Sequence, residues 1–419
     1  MENPHEETGF YDFRWSVSSK LPANSAVWQT INHFPEISHI STKLKFSQHI
    51  KAYLGTACDE VFPRTYVVKG WDSFREFDWD YKNTQIRNIL KRFVAGEEGI
   101  SLEKVTICLH AARRFLENRS NSDPVSDEHW KILKSLTPAI TSKLYSQLSL
   151  GPMPPPEQLI QDATATLALF KSISPQFDLD GSRNVWIIKP GGKSRGREIF
   201  LHSGLEEIKR RINVKQTWII QKYIENPLLI HNRKFDIRQW VLISSFAPLT
   251  VWLYEDCYLR FSAEEYDIGD FDNKFSHLTN NSVVKYSANF TESTEFAECM
   301  WSSAQFRDFL ISLSGKDQFS SSIRPKMQEI VLSAVKSVQN FVTPRENSFE
   351  LLGFDLMVDT DLRPWLLEAN TSPAMDYSTA VTEELVKRVL EDTVKVVVDR
   401  RDRREAETGR FSLIFQETS

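Results

Sequence analysis

The sequence predicts an α+β fold, and three stretches carry that expectation. Residues 349–373 hold two apolar runs on either side of the polar turn Asp359-Thr-Asp-Leu-Arg363, the pattern of an antiparallel hairpin. From residue 27 to about residue 94, short apolar runs alternate with segments of helical period. From about 101 to 148 helical patterns dominate, until Gly151-Pro-Met-Pro-Pro-Pro156, where the fixed φ and missing N–H of proline stop any helix.

Taken in order, residues 1–27 show little periodic hydrophobicity and are expected as a flexible arm. Residues 28–110 are expected to form a small N-terminal α/β domain. There Lys43–Leu54 sets Phe46, Ile50 and Leu54 four residues apart on one helix face, residues 62–68 read as extended, and residues 84–94 place Ile86, Ile89, Leu90 and Phe93 on one side of a second helix. A central domain is expected over 111–224, with 151–156 as a proline-rich connector, followed by a C-terminal domain over 225–408 and a tail over 409–419. Leu385, Val389 and Val396 are spaced for a closing helix that ends in the basic cluster near Arg400.

Composition narrows the class. The chain has 419 residues, with 51 Lys plus Arg against 56 Asp plus Glu and a formal net charge of -5, so whole-molecule charge does not indicate a nucleic-acid binder. Basic clusters at Arg113-Arg114, Lys209-Arg210-Arg211 and Arg400-Arg401-Asp-Arg403-Arg404 read either as solvated helix faces or as surfaces for an acidic partner. Cys58, Cys108, Cys257 and Cys299 lack metal-site spacing and read as reduced thiols. The polar, acidic first residues are not a secretory signal, and no apolar run approaches the ~20 residues that span a bilayer. A soluble intracellular protein is expected, acting on neither nucleic acid nor membrane.

Candidate chemistry lies in the second half. Alternation along a strand puts Lys234, Asp236 and Arg238 on one face, and Gly353, Asp355 and Met357 on another. Leu366, Glu368 and Asn370 would share a face, and a two-residue turn at Asp361-Leu362 would set Asp355 opposite Glu368. Asp355, Glu368 and Asn370 then read equally as oxygen ligands for Mg²⁺ or as polar groups on a solvated sheet face. Val185-Trp-Ile-Ile-Lys-Pro190 is a strand ending in Lys189, and the following Gly191-Gly-Lys-Ser-Arg-Gly-Arg197 is a basic glycine-rich loop, a phosphate clamp or an ordinary surface turn. Thr217-Trp-Ile-Ile-Gln-Lys-Tyr-Ile224 reads as a core strand or as one whose main chain meets an adenine edge. Arg260 sits between apolar neighbours, and Thr279 and Asn280 lie near a turn. No Walker loop, GxGxxG or Ser/His/Asp nucleophile motif is present.

Together Lys189, Lys193-Ser-Arg-Gly-Arg197, Gln221-Lys-Tyr-Ile224, Lys234, Asp236, Arg238, Arg260, Thr279, Asn280, Asp355, Glu368 and Asn370 resemble the nucleotide and Mg²⁺ constellation of the tubulin tyrosine ligase-like family. Pro227-Leu-Leu-Ile230, Met300-Trp-Ser-Ser303 and Asn370-Thr-Ser-Pro-Ala374 are similar to its glycylase branch, of the initiating type. The resemblance implies an ATP-grasp fold in which the central and C-terminal domains grip the nucleotide. It implies ATP and Mg²⁺ as cofactors, with Lys189, Lys193, Arg195, Gly196, Gln221, Lys222, Tyr223, Ile224, Lys234, Asp236, Thr279 and Asn280 at the nucleotide. Asp355, Glu368 and Asn370 would hold the metal, while Arg238, Arg260 and Glu368 would serve the chemistry. The implied activity joins glycine to glutamate γ-carboxylates in tubulin C-terminal tails through an acyl phosphate, by a monomer in the cytoplasm, on the cytoskeleton and in the cilium. A glutamylase, a tyrosine ligase and a catalytically weak microtubule-binding module are the alternatives. Glu198 departs from the family pattern, which has glycine there.

Overall fold

The computed structural model describes residues 11–16, 26, 28–117, 130, 133, 142, 145–146, 151–192, 197–284, 286–287 and 300–418. In chain order the strands are β1 (Phe13–Arg14), β2 (Thr30–Asn32), β3 (Thr65–Val68), β4 (Trp186–Pro190), β5 (Phe200–His202), β6 (Trp218–Lys222) and β7 (Leu229–Ile230). After these come β8 (Arg233–Phe246), β9 (Leu249–Phe261), β10 (Met300–Ser302), β11 (Ser348–Val358), β12 (Pro364–Asn370) and β13 (Phe411–Gln416). The helices used below are α1 (Lys43–Leu54), α2 (Phe74–Val94), α3 (Leu102–Glu117), α4 (Pro156–Ile173), α5 (Leu205–Arg211), α6 (Arg324–Val338) and α7 (Ala380–Val394). The fold is mixed α+β, as the hairpin and helical patterns predict.

The chain divides into two compact units, Met1–Phe62 with Ser194–Arg197 and Pro227–Ser419, and Pro63–Lys193 with Glu198–Asn226. Residues 28–110, expected as one domain, contribute 28–62 to the first unit and 63–110 to the second. Of the expected N-terminal arm, residues 1–10, 17–25 and 27 lie outside the described residues, and Phe13 and Arg14 pair in parallel with Thr30 and Ile31. The expected tail contains β13, which pairs antiparallel with β9.

The first unit is built on one large sheet in the order β1-β2-β11-β8-β9-β10, with β12 on β11, β13 on β9 and β7 on β8. Only β1–β2 and β2–β11 pair in parallel among its described strands. One sheet face carries Ile237, Val241, Leu352, Phe354 and Leu356, packed with Phe46 and Ile50 of α1 and with Met327, Ile330, Val331 and Ala334 of α6. Helix α1 has the bounds that its apolar spacing predicts, and it ends where Gly55 takes φ 57, which a residue with a side chain resists. The opposite face is apolar at Trp240, Leu242, Tyr254, Phe349 and Leu351, which pack against Leu385, Val386 and Val389 of α7. Further along β8 and β11 that face becomes charged, at Arg238, Asp236 and Asp355.

The hairpin β11–β12 differs from expectation in its turn. Val358 pairs with Pro364, so the connection is the five-residue loop Asp359 to Arg363 rather than a two-residue turn at Asp361-Leu362. Asp359 Oδ1 accepts from the N–H groups of Asp361 and Arg363, and Leu362 takes φ 61 to close the loop. An extra residue on β12, Leu367, opposite the Asp355–Leu356 step of β11 then shifts the pairing by one residue and restores Asp355 opposite Glu368. The bulge also separates Leu366 from the polar residues: Leu366 and Ala369 enter the apolar core, while Glu368 and Asn370 point the other way.

The second unit is a four-stranded sheet, β3-β6-β4-β5, against α2, α3 and α4. Helix α4 begins on Pro156 with Pro155 as its N-cap, so the proline run acts as a helix start as well as a stop. Arg64 and Arg87 clamp Asp180 at 2.7 and 2.8 Å, and Arg64 also holds Asp80 at 2.8 Å. Burial would push the Asp180 carboxyl up, but the two guanidinium groups outweigh it and hold it well below the usual range.

Candidate functional site

The charged face of the first unit is set by cross-strand register. Arg238 of β8 stands opposite Asp355 of β11, and Asp236 of β8 stands opposite Arg260 of β9, so opposite charges meet at directly paired positions. Arg260 donates to Asp236 from Nε at 2.7 Å and from Nη2 at 2.6 Å. Its Nη2 also reaches past β8 to Asp355 Oδ2 at 2.9 Å. Arg238 donates to Asp355 from Nε at 2.6 Å. The result is a buried chain of alternating charge: Asp236, Arg260, Asp355, Arg238. Burial alone would raise the Asp355 carboxyl, yet Arg238 and Arg260 hold it below the ordinary carboxylate range. Conversely, Asp236 and Asp355 overcome burial to keep the Arg260 guanidinium firmly charged.

Neighbouring groups complete the patch. Thr279 donates its hydroxyl to Asp236 Oδ2 at 2.7 Å, and Lys234 Nζ donates to the His277 carbonyl at 3.0 Å. Asn280 lies on the same segment and is half-buried. Asn370 pairs with Gly353 across the hairpin, and its Nδ2 lies 3.4 Å from both Asp355 Oδ2 and Glu368 Oε1. Asp355, Glu368 and Asn370 therefore converge as the alternation predicts. Their donor set, two carboxylates and one amide, consists of the hard oxygen groups that Mg²⁺ takes alongside substrate phosphates. Among the described residues no cluster of three or more His, Cys, Asp or Glu could hold a metal.

The geometry gives two of the expected site residues partners within the protein. Asp236, expected at the nucleotide, accepts with its two oxygens from Arg260 and Thr279. Arg260, expected to serve the chemistry, has its Nε and Nη2 held by carboxylates. Lys43 was not singled out by sequence reasoning: its Nζ lies 3.5 Å from Glu368 Oε2, with both side chains partly exposed. A lysine as the first residue of a helix opposes the helix dipole, and that was a signal available in the sequence.

In the second unit, Lys189 Nζ donates to Gln221 Oε1 at 2.7 Å and Gln221 Nε2 donates to Thr65 Oγ1 at 3.0 Å. These three occupy one sheet face, because Thr65 pairs directly with Gln221 while Ile188, Ile220 and Trp218 turn into the apolar core on the other. Lys222 falls on the core side. Its Nζ is fully buried and donates to Glu225 Oε1 at 2.7 Å and the Val185 carbonyl at 2.9 Å, so its side chain is a structural tie within the unit. The N–H groups of Lys222 and Tyr223 are also taken, by the Arg64 and Val185 carbonyls, and Tyr223 and Ile224 are buried. Lys193, Arg195 and Gly196 lie outside the described residues. Glu198 is described, with φ 57.

Known proteins match this chain along most of its length. Residues 127–405 match the Tubulin-tyrosine ligase family. The chain is 39% identical to Tubulin glycylase 3B of Tetrahymena thermophila over 99% of itself and 42% of that protein. It is 33% identical to Tubulin monoglycylase TTLL3 of Danio rerio over 93% of itself and 56% of that protein. It is 32% identical to Protein monoglycylase TTLL8 of Homo sapiens, over 93% of itself and 51% of that protein. The chain spans about half the length of the curated relatives it matches.

Proposed function

The chain belongs to the tubulin-tyrosine ligase family, and from that premise we propose that it is an ATP-dependent ligase joining glycine to glutamate γ-carboxylates in acidic protein tails, tubulin tails foremost. The observation that carries the reading is the convergence of Asp355, Glu368 and Asn370 beside the buried Asp236–Arg260–Asp355–Arg238 chain, in a sequence similar to glycylases along nearly all its length.

Joining an amine to a carboxylate in water is uphill. In the proposed reaction a carboxylate oxygen attacks the γ-phosphorus of ATP, ADP leaves, the glycine amine attacks the carbonyl of the acyl phosphate, and phosphate departs as the amine loses its proton. Such chemistry depends on oriented reactants and on fixed charge where negative charge develops. Arg238 and Arg260 are held in place by Asp236 and Asp355, so the N–H groups they have left are oriented donors that need not move. Asp355, Glu368 and Asn370 would hold Mg²⁺, which when bound neutralises phosphate charge. Lys189 and Lys234 supply cations suited to nucleotide phosphates. A substrate on microtubules would put the protein in the cytoplasm, on the cytoskeleton and in the cilium.

The test is incubation of the purified protein with ATP, Mg²⁺, microtubules and, separately, glycine, glutamate and tyrosine, read by intact mass of tubulin. Glycine adducts that require ATP are expected. Glutamate or tyrosine adducts would reassign the donor, and microtubule binding with no adduct would leave only a binding module.

A further inference from the structure

Gly353 lies inside β11, where glycine weakens a strand and tends to mark a close approach by something else. Its φ is not positive, so the backbone conformation does not demand glycine. The surrounding space does. A Cβ at this position would lie 2.7 Å from Pro373 Cβ, 3.0 Å from Arg238 Cδ and 3.2 Å from Arg238 Nε, against the roughly 3.5–4.0 Å at which carbon atoms rest. The Arg238 stem therefore crosses the strand over the bare Cα of Gly353, with Pro373 closing the other side.

That path decides what Arg238 can do. It brings Nε to 2.6 Å from Asp355 Oδ1 and leaves Nη1 buried with no acceptor among the described residues. A buried guanidinium nitrogen without an acceptor is costly, and an anionic oxygen would relieve it. On the ligase reading such oxygens belong to the phosphoryl group and the reacting carboxylate. We infer that Gly353 is a positioning residue: by having no side chain it lets Arg238 lie between Asp355 and Pro373 with Nη1 kept for the oxygen of a reactant.

The experiment is a set of variants, Gly353→Ala, Pro373→Gly, Arg238→Ala and the pairs containing Gly353→Ala, each measured for ATP-dependent ligation and for thermal melting of the full chain. Gly353→Ala is expected to lower kcat roughly tenfold or more while KM for ATP stays within about threefold. Pro373→Gly should return part of that loss, because it removes the carbon nearest the new methyl. In the Arg238→Ala background, Gly353→Ala should cost almost nothing further in kcat. A wild-type kcat for Gly353→Ala, or an equal loss with and without Arg238, would overturn the assignment. So would a Gly353→Ala protein that stays unfolded even with Pro373→Gly, since the glycine would then serve the strand alone. If the wild-type protein ligates no amino acid, the ligase reading fails by itself. The melting data then still decide the packing claim, which requires Gly353→Ala to be less destabilising with Pro373→Gly or Arg238→Ala than alone.

Discussion

Glu368→Gln and Asp355→Asn remove one charge each from the same converging set, yet the structure expects opposite consequences. Glu368 is partly exposed, and its contacts are Lys43 at 3.5 Å and Asn370 at 3.4 Å, both at the outer limit of a useful interaction. An ion pair of that kind contributes ~0–1 kcal/mol, and glutamine keeps the acceptor oxygen, so the fold should lose less than about 1 kcal/mol. Asp355 is buried and accepts from Arg238 at 2.6 Å and Arg260 at 2.9 Å. Breaking a buried pair from one side costs ~3–5 kcal/mol, a large part of the roughly 5–15 kcal/mol that holds a domain together. Urea unfolding of the three proteins should thus leave Glu368→Gln near wild type and move Asp355→Asn to a much lower midpoint. Ligation by Glu368→Gln should fall roughly 100-fold or more, about 2.7 kcal/mol of barrier. The extra melting shift that Mg²⁺ gives on top of a nucleotide analogue should shrink in the same variant. Near wild-type turnover with unchanged Mg²⁺ dependence, or a stability loss equal to that of Asp355→Asn, would refute the reasoning.

Glu198 occupies the left-handed region at φ 57, where an L-residue costs ~1–2 kcal/mol, while glycine gives back ~0.4–1 kcal/mol through the unfolded chain. Glu198→Gly should leave the melting temperature equal or slightly higher and activity equal or higher, and a tenfold loss of activity would reveal a role for the carboxylate. His33 and Glu350 form a buried pair at 2.9 Å; burial pushes the Glu350 carboxyl up to about 7 against the pull of His33, and Glu350 raises His33 against the effect of burial. Both groups bind protons more readily folded than unfolded, so their contribution is fully present below the unfolded values of about 4.3 and 6.5; that of Glu350 is lost as pH rises through about 7 and that of His33 as pH rises beyond 6.5, by at most ~1.4 kcal/mol per pH unit for each proton. Denaturation midpoints of the wild type should fall from pH 5 to 8 more steeply than those of Glu350→Gln, and parallel curves would remove the pair from the account. Lys209 pairs with Asp78 at 3.0 Å and Arg210 with Glu207 at 2.7 Å, whereas Arg403 and Arg404 are exposed. Neutralising Arg403 and Arg404 should therefore raise KM for microtubules and flatten its salt dependence more than neutralising Lys209 to Arg211; the reverse ranking would locate recruitment on α5.

Local periodicity made much of this legible. Apolar spacing gives α1 its bounds, and period two puts Lys234, Asp236 and Arg238 on one face. The pairing of Asp355 with Glu368 was also readable, although by a different route: a five-residue loop and a bulge together give the register that a two-residue turn would have given. What stayed hidden depends on contacts remote in sequence. Nothing near Lys222 says that its face of β6 becomes the core, and nothing near Arg260 says that it reaches beyond its paired strand to Asp355. The burial of Asp236 as a shared acceptor follows from the same long-range register, so its expected contact with a ligand could not be weighed from its own strand.

The parallel pairing of β2 with β11 has a consequence for biosynthesis. Its partners are over 300 residues apart, as the His33–Glu350 separation of 317 shows, and the whole of the second unit is encoded between them. On a ribosome residues 30–62 emerge early and must wait, with Ile31, Phe34, Ile37, Phe46 and Ile50 unburied, until β8 and β11 exist to receive them. The intervening unit, with its own sheet and core, can close on itself during that wait. Assembly of the charged face thus comes late, so a chain stalled before about residue 370 would present a folded insert flanked by a sticky, unpaired N-terminal segment.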